Sequence, residues 1–89
     1  MMQEILMMVM TGCPHCQRAF EMMEALREQY PEFQSIPVKV VNETLEPDFA
    51  ATLDYYYVPT FFVAGVKLHE GKPTKEAVEA VFRYALTQK

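Results

Sequence analysis

Chemistry in this chain is concentrated in four consecutive residues, Cys13-Pro14-His15-Cys16, which hold both of its cysteines. Two cysteines three positions apart can close a disulfide across one helical turn with little backbone movement. If a helix opens at Pro14, the Cys13 sulfur sits where unpaired N–H groups and the positive end of the helix dipole converge. Both favour thiolate over thiol, and the thiolate is the nucleophile. Cys16 lies one turn further in, on the apolar face, and is expected to be less exposed. The asymmetry makes Cys13 the candidate attacking sulfur and Cys16 the candidate resolving sulfur of a thiol–disulfide exchange.

Other uses of the pair fit less well. A structural zinc site takes four ligands, and the chain offers only Cys13, Cys16, His15 and His69. His15 stands between the cysteines on the same turn and would point away from a metal they shared, so no metal site is expected. An imidazole beside Cys13 can instead stabilise the thiolate by charge or hydrogen bonding. His69 reads as an exposed hairpin residue. A second segment, Val58-Pro59-Thr60, places a proline just before an apolar run, where simple edge punctuation would also account for it.

The elements that must position these residues follow from the pattern of apolar side chains. Glu4 to Met10 is an apolar run of the kind found in a strand covered on both faces. Thr11-Gly12 breaks it and Cys13-Pro14 opens a helix, Pro14 suiting the first position because its missing N–H would have had no partner there. Cys16, Ala19, Phe20, Met23, Leu26 and Tyr30 then recur on one face until Pro31 stops the helix. Ile36 to Val41 reads as a second strand. A short helix is expected from Pro47, with Leu45, Phe49, Ala50 and Leu53 turned inward. Thr60–Val63, the pair Ala64-Gly65 and Val66–His69 read as a hairpin with a tight turn. Gly71 and Pro73 punctuate the chain, Thr74 is a candidate N-cap, and a last helix buries Val78, Val81, Phe82 and Ala85. The order is β-α-β-α-β-β-α. A strand–helix–strand start implies a parallel pair with a right-handed crossover, and the hairpin adds antiparallel strands. The expectation is an α/β fold with a four-stranded mixed sheet and helices on both faces, one domain over residues 1–89.

Composition narrows the setting. Of 89 residues 51% are hydrophobic, enough for a core in a single small domain. A net charge of −4, with eight scattered Lys and Arg, disfavours nucleic acid and anionic membrane surfaces as partners. The apolar start lacks a positively charged leader and is too short to span a bilayer. It reads as a buried strand of a cytoplasmic protein, a compartment where a lone cysteine pair is more often catalytic or metal-binding than a structural staple. The seven methionines read as core filler.

With Cys13-Pro14-His15-Cys16 after the first strand, Val58-Pro59-Thr60 before the hairpin and Gly71 before the final helix, the chain resembles the thioredoxin/glutaredoxin superfamily over nearly its whole length. The resemblance implies the thioredoxin fold. It also implies that Pro59 is cis and packs against the Cys13–Cys16 disulfide, and that Val58 offers its backbone to an extended substrate as in strand pairing. The Thr11-Gly12 lead-in and the short length look more like glutaredoxin than full thioredoxin. The chain departs from thioredoxins in carrying no acid between Ile5 and Met10. It departs from glutaredoxins in its Leu68-His69-Glu70-Gly71-Lys72-Pro73 stretch, which has one glycine and no aspartate.

The function expected is thiol–disulfide exchange by Cys13 and Cys16, supported by Pro14, His15 and Pro59, with Gly12, Tyr57, Val58 and Thr60 facing the substrate. Tyr55-Tyr56-Tyr57 falls beside the expected groove. Substrates would be disulfide-containing proteins, electrons would come from a donor such as a thioredoxin reductase or glutathione, and a monomer would need no prosthetic group. Two other readings use the same residues: a redox-sensing adaptor, and a dimer holding an iron–sulfur cluster, against which the stiffening by Pro14 argues. Potentials in such enzymes span roughly −270 to −120 mV and track thiolate stabilisation. A His15→Ala variant, equilibrated in glutathione buffers, should therefore have a less oxidising disulfide; an unchanged or more oxidising value rejects the role of the imidazole.

Overall fold

The computed structural model describes residues 2–87, so Met1, Gln88 and Lys89 of the expected 1–89 unit lie outside the described residues. The elements are β1 (Ile5–Val9), α1 (Pro14–Gln29), a 3₁₀ turn (Pro31–Ser35), β2 (Val38–Asn42), α2 (Pro47–Ala50), β3 (Thr60–Val63), β4 (Val66–Glu70) and α3 (Lys75–Thr87). They form a four-stranded sheet of order β2-β1-β3-β4. β1 runs parallel to β2 and antiparallel to β3, and β3 and β4 form the hairpin. This is the mixed α/β thioredoxin-type architecture expected.

The apolar run of β1 is explained by its place at the centre of the sheet. Ile5, Met7 and Val9 point into one core and Met8 into the other, so neither face leaves room for a polar side chain. The larger core lies under α1 and α3, which bury Cys16, Ala19, Met23 and Leu26 from one helix and Val78, Val81, Phe82 and Ala85 from the other. Thr74 caps α3, its Oγ1 accepting the Ala77 N–H at 3.1 Å. The smaller core, Met8, Val41 and Phe62, is covered by Ala50, Leu53 and Tyr55.

Three local readings are revised. Pro31 ends α1, but the chain continues as the 3₁₀ turn and wedges the fully buried Phe33 against Phe82, ring centroids 5.1 Å apart. The second strand begins two residues later than its β-rich composition suggests, at Val38 rather than Ile36, and Ile36 is buried in the larger core ahead of it. The short helix is only one turn long and has no fully buried residue: Leu45, just before it, is 75% exposed, and Phe49 lies on the surface with the Lys39 ammonium 5.4 Å from its ring centre. One turn cannot carry an inward stripe, so only Ala50 and Leu53 reach the core. The hairpin turn is tight because Ala64 and Gly65 both take positive φ, 51° and 79°, the geometry that matches the twist of the flanking strands. No helix among the described residues is long and apolar enough to cross a membrane.

Phe82 is fully buried, stacked on Phe33 and covered by the Arg27 guanidinium 5.5 Å from its centre. Phe82→Ala should cost about 3–5 kcal/mol in urea unfolding, because the cavity opens at the meeting of two helices and the 3₁₀ turn. Leu45→Ala should stay within about 0.5 kcal/mol, as an exposed site with no special contact; a large loss there would contradict its placement outside the core.

Candidate active site

β1 delivers the chain to the end of the sheet where Thr11-Gly12 turns it into α1. Gly12 takes φ 75°, a left-handed conformation that a side chain would strain. Side chains from the β2 end hold this turn: Asn42 Nδ2 donates to Thr11 Oγ1 at 3.1 Å, and the Thr11 N–H donates to Thr44 Oγ1 at 3.4 Å. Asn42 Oδ1 in turn accepts the Thr44 N–H at 2.8 Å.

Cys13 is the N-cap of α1 and Pro14 its first residue. The Cys13 sulfur accepts the Cys16 N–H at 3.1 Å, so one of the four orphan donors of the helix start is spent on that sulfur. The two cysteines are joined as a disulfide with Cα atoms 5.2 Å apart. Cys13 is 6% exposed and Cys16 2%, and both belong to the main core. Pro14 is exposed and His15 half-buried. His15 Nδ1 lies 3.1 Å from Arg18 Nη1. A guanidinium can only donate, so Nδ1 is the acceptor. The described hydrogen bonds of His15 thus run to Arg18, one turn along the helix.

The Val58-Pro59-Thr60 segment meets the cysteines from the β3 side. Met8 pairs with Thr60 across β1 and β3, which sets the residues following β1 beside those preceding β3. The Val58–Pro59 bond is cis, and the Val58 carbonyl oxygen lies 4.0 Å from the Cys13 sulfur. Pro59 is buried, and Val58 packs against both cores. Thr60 is fully buried, and its hydroxyl donates to the Tyr57 carbonyl; it braces the segment from beneath and does not reach solvent. Gly12, Cys13, Pro14 and Cys16, which follow β1, and Val58 and Pro59, which precede β3, thus lie at the same end of the sheet.

The three tyrosines divide. Tyr55 turns inward, edge-on to Phe62 at 6.3 Å, and its hydroxyl donates to Glu43 Oε1 at 2.7 Å. Burial first, and then the Glu43 carboxylate, push its phenol well above the ordinary tyrosine range. Tyr56 and Tyr57 stand out at 85% and 70% exposure. A depression of about 420 Å³ between α2 and Tyr56 is lined by Glu43, Pro47, Leu53 and Tyr55 and by neither cysteine.

One contact beside this segment went unread in the sequence. Glu70, at the end of β4, accepts the backbone N–H groups of Tyr56 and Tyr57 on one carboxylate oxygen, the latter at 3.0 Å. Its other oxygen takes the Lys67 ammonium at 2.8 Å. The hydrogen bond from Lys67, and after it those from the two amides, pull the Glu70 carboxyl down to about 2. A regular hairpin around Ala64-Gly65 would have set His69 opposite Thr60; the register shifts between Phe61 and Phe62, and Glu70 takes that place.

The thioredoxin domain family matches residues 3–83. A thioredoxin of Methanocaldococcus jannaschii is 34% identical over 70 residues, covering 78% of this chain and 80% of the relative. A solved structure of a malarial protein superposes with a TM-score of 0.72 at 15% identity, over 98% of this chain and all of that one, which speaks for the fold. With its paired cysteines held at the start of α1, this chain belongs to the thioredoxin family and is, in the general sense, a thiol–disulfide oxidoreductase.

Proposed function

We propose that the chain exchanges disulfides with protein substrates, Cys13 attacking and Cys16 resolving. The observation that carries this reading is the placement of the Cys13 sulfur as N-cap acceptor of the Cys16 N–H, facing the Val58 carbonyl at 4.0 Å. In the reduced protein the same N–H and the helix dipole favour negative charge on Cys13.

The Cys13 thiolate attacks one sulfur of a substrate disulfide. A Cys13–substrate bond forms, the substrate S–S bond breaks, and the other substrate sulfur leaves as a thiolate. Cys16, deprotonated, attacks the Cys13 sulfur, forming the Cys13–Cys16 disulfide and releasing the second substrate thiolate. Substrate is reduced by two electrons and the protein oxidised by two; a thiol donor of the thioredoxin reductase or glutathione class reverses the protein's half. The backbone of Val58, between Tyr57 and Thr60 and across from Gly12, aligns an extended substrate segment by strand pairing. His15 and Pro14 shape the approach, and Pro59 lies beneath. The reading is of a monomer acting in the cytoplasm, with no resident metal or cofactor.

Replacing Cys13 with Ser should abolish turnover of insulin disulfides, and Cys16→Ser should accumulate a Cys13–substrate mixed disulfide visible by mass spectrometry. Equal residual turnover in the two variants would reject the assigned roles. In wild type, a two-electron transition between roughly −270 and −180 mV is expected; a pair that will not cycle in glutathione buffers removes the exchange reading.

A further inference from the structure

Glu70 lies outside the cysteine pair, yet every backbone group flanking Val58 on the loop is tied toward its end of β4 or to the base of β3. Tyr56 and Tyr57 donate their N–H groups to its carboxylate. The Tyr57 carbonyl accepts from Thr60 Oγ1, and the Pro59 carbonyl accepts the Gly71 N–H at 2.9 Å. Among the described residues Val58's own N–H takes no partner, and its carbonyl faces Cys13. The neighbours are thus saturated and Val58 is left open. Tyr56 and Tyr57, being highly exposed, supply little packing to hold the segment. Gly71 takes φ 90°, and a Cβ there would stand 3.7 Å from Tyr57 Cβ, so β4 passes close under the loop.

We propose that Glu70 is a positioning residue for disulfide exchange, its carboxylate fixing the 56–58 segment so that the Val58 backbone is presented to a peptide substrate beside Cys13. The proposal rests on the exchange reading above and adds the group that orders its peptide-binding edge. Glu70 touches neither sulfur, so it acts on peptide binding and leaves the cysteine chemistry alone. A gap of one methylene or a lost acceptor frees two amides next to Val58, and an unfixed edge pairs less well because it must be ordered on binding. Lys67, on the same strand, holds the second oxygen. From the loop, Asp54 and Tyr56 are the other titratable groups that act on that ammonium.

The carboxyl is depressed, so its hold on the loop is complete above the ordinary carboxylate range and is lost as pH falls through about 2. The Tyr56 and Tyr57 amide proton shifts should therefore stay flat from neutral pH down through the ordinary carboxylate range and move only as pH approaches about 2, with no such movement in Glu70→Gln. A midpoint near the ordinary carboxylate value would overturn the contact.

The decisive test compares two substrates on the full chain: insulin, which has a backbone to pair, and 5,5′-dithiobis(2-nitrobenzoate), a small disulfide that has none. Glu70→Ala should raise KM for insulin about tenfold, the size of one or two weakened backbone hydrogen bonds, with kcat, the Cys13–Cys16 potential and turnover of the small disulfide unchanged. Glu70→Gln, whose amide oxygen can still accept both N–H groups, should restore most of the insulin KM. If Glu70→Ala does not fold, Glu70→Asp should give the same split. Wild-type insulin KM in Glu70→Ala, or equal losses on both substrates, overturns the positioning role. A wild-type protein that turns over neither substrate instead removes the exchange reading itself.

Discussion

β1 is buried on both faces and hydrogen-bonded on both edges, and the remaining elements take their places from it. Met7 is fully buried toward the α1/α3 core and Met8 toward the smaller one, while Val40 and Val41 pair it on one side and Phe61 and Thr60 on the other. A strand with no free face and no free edge has a single register open to it, since a slip of one residue would exchange every side chain between the cores. That constraint reaches the chemistry directly. The last residue of β1 is followed within one short turn by the cap of α1, so the height of Cys13 is set by the register of Met7 and Met8.

Bringing two sequence-distant segments together then needs little more than the pairing of β1 with β3. The C-terminal end of a strand lies beside the N-terminal start of its antiparallel neighbour, and Met8 opposite Thr60 is that junction. Val58 and Cys13 are separated by 45 positions, yet each is only a few residues from this one pair. The helix N-terminus faces a backbone carbonyl there, so an N–H donor and a carbonyl acceptor converge on the same sulfur. Both cysteines are buried there, Cys13 slightly less so than Cys16.

What could be read in the chain was whatever depended on a short window. The apolar run of β1, the proline-opened helix with its buried Cys16 and Leu26, and the stripe Val78, Val81, Phe82 and Ala85 each follow from local spacing, and each stands in the fold. The cysteine pair stood out by its spacing before a proline-opened helix, whereas Val58-Pro59-Thr60 read locally as edge punctuation and was set beside the cysteines only through the family resemblance. Other features depended on events a window does not hold. Phe33 is buried because Phe82, far along the chain, offers it a ring to stack on. Leu45 and Phe49 carry the residue types of a buried face, but a single turn leaves them at the surface. Glu70 reads as an ordinary charged residue at a strand end, and only the added residue in β4 turns it toward the loop.

That added residue has a second consequence. β4 is the outer strand on its side of the sheet, and among the described residues its far edge has no partner strand. A straight, unpaired edge invites another chain to add to it, whereas a bulge bends and twists the strand and spoils the template. The irregularity that carries Glu70 to the loop also makes β4 a poor docking rail for a stray strand, and the Lys67–Glu70 ion pair adds fixed charge to it. β2, at the opposite border, pairs with β1 in unbroken register and leaves Val40 45% exposed. The sheet is thus guarded unequally, and self-association at high concentration or on partial unfolding should begin from the β2 border.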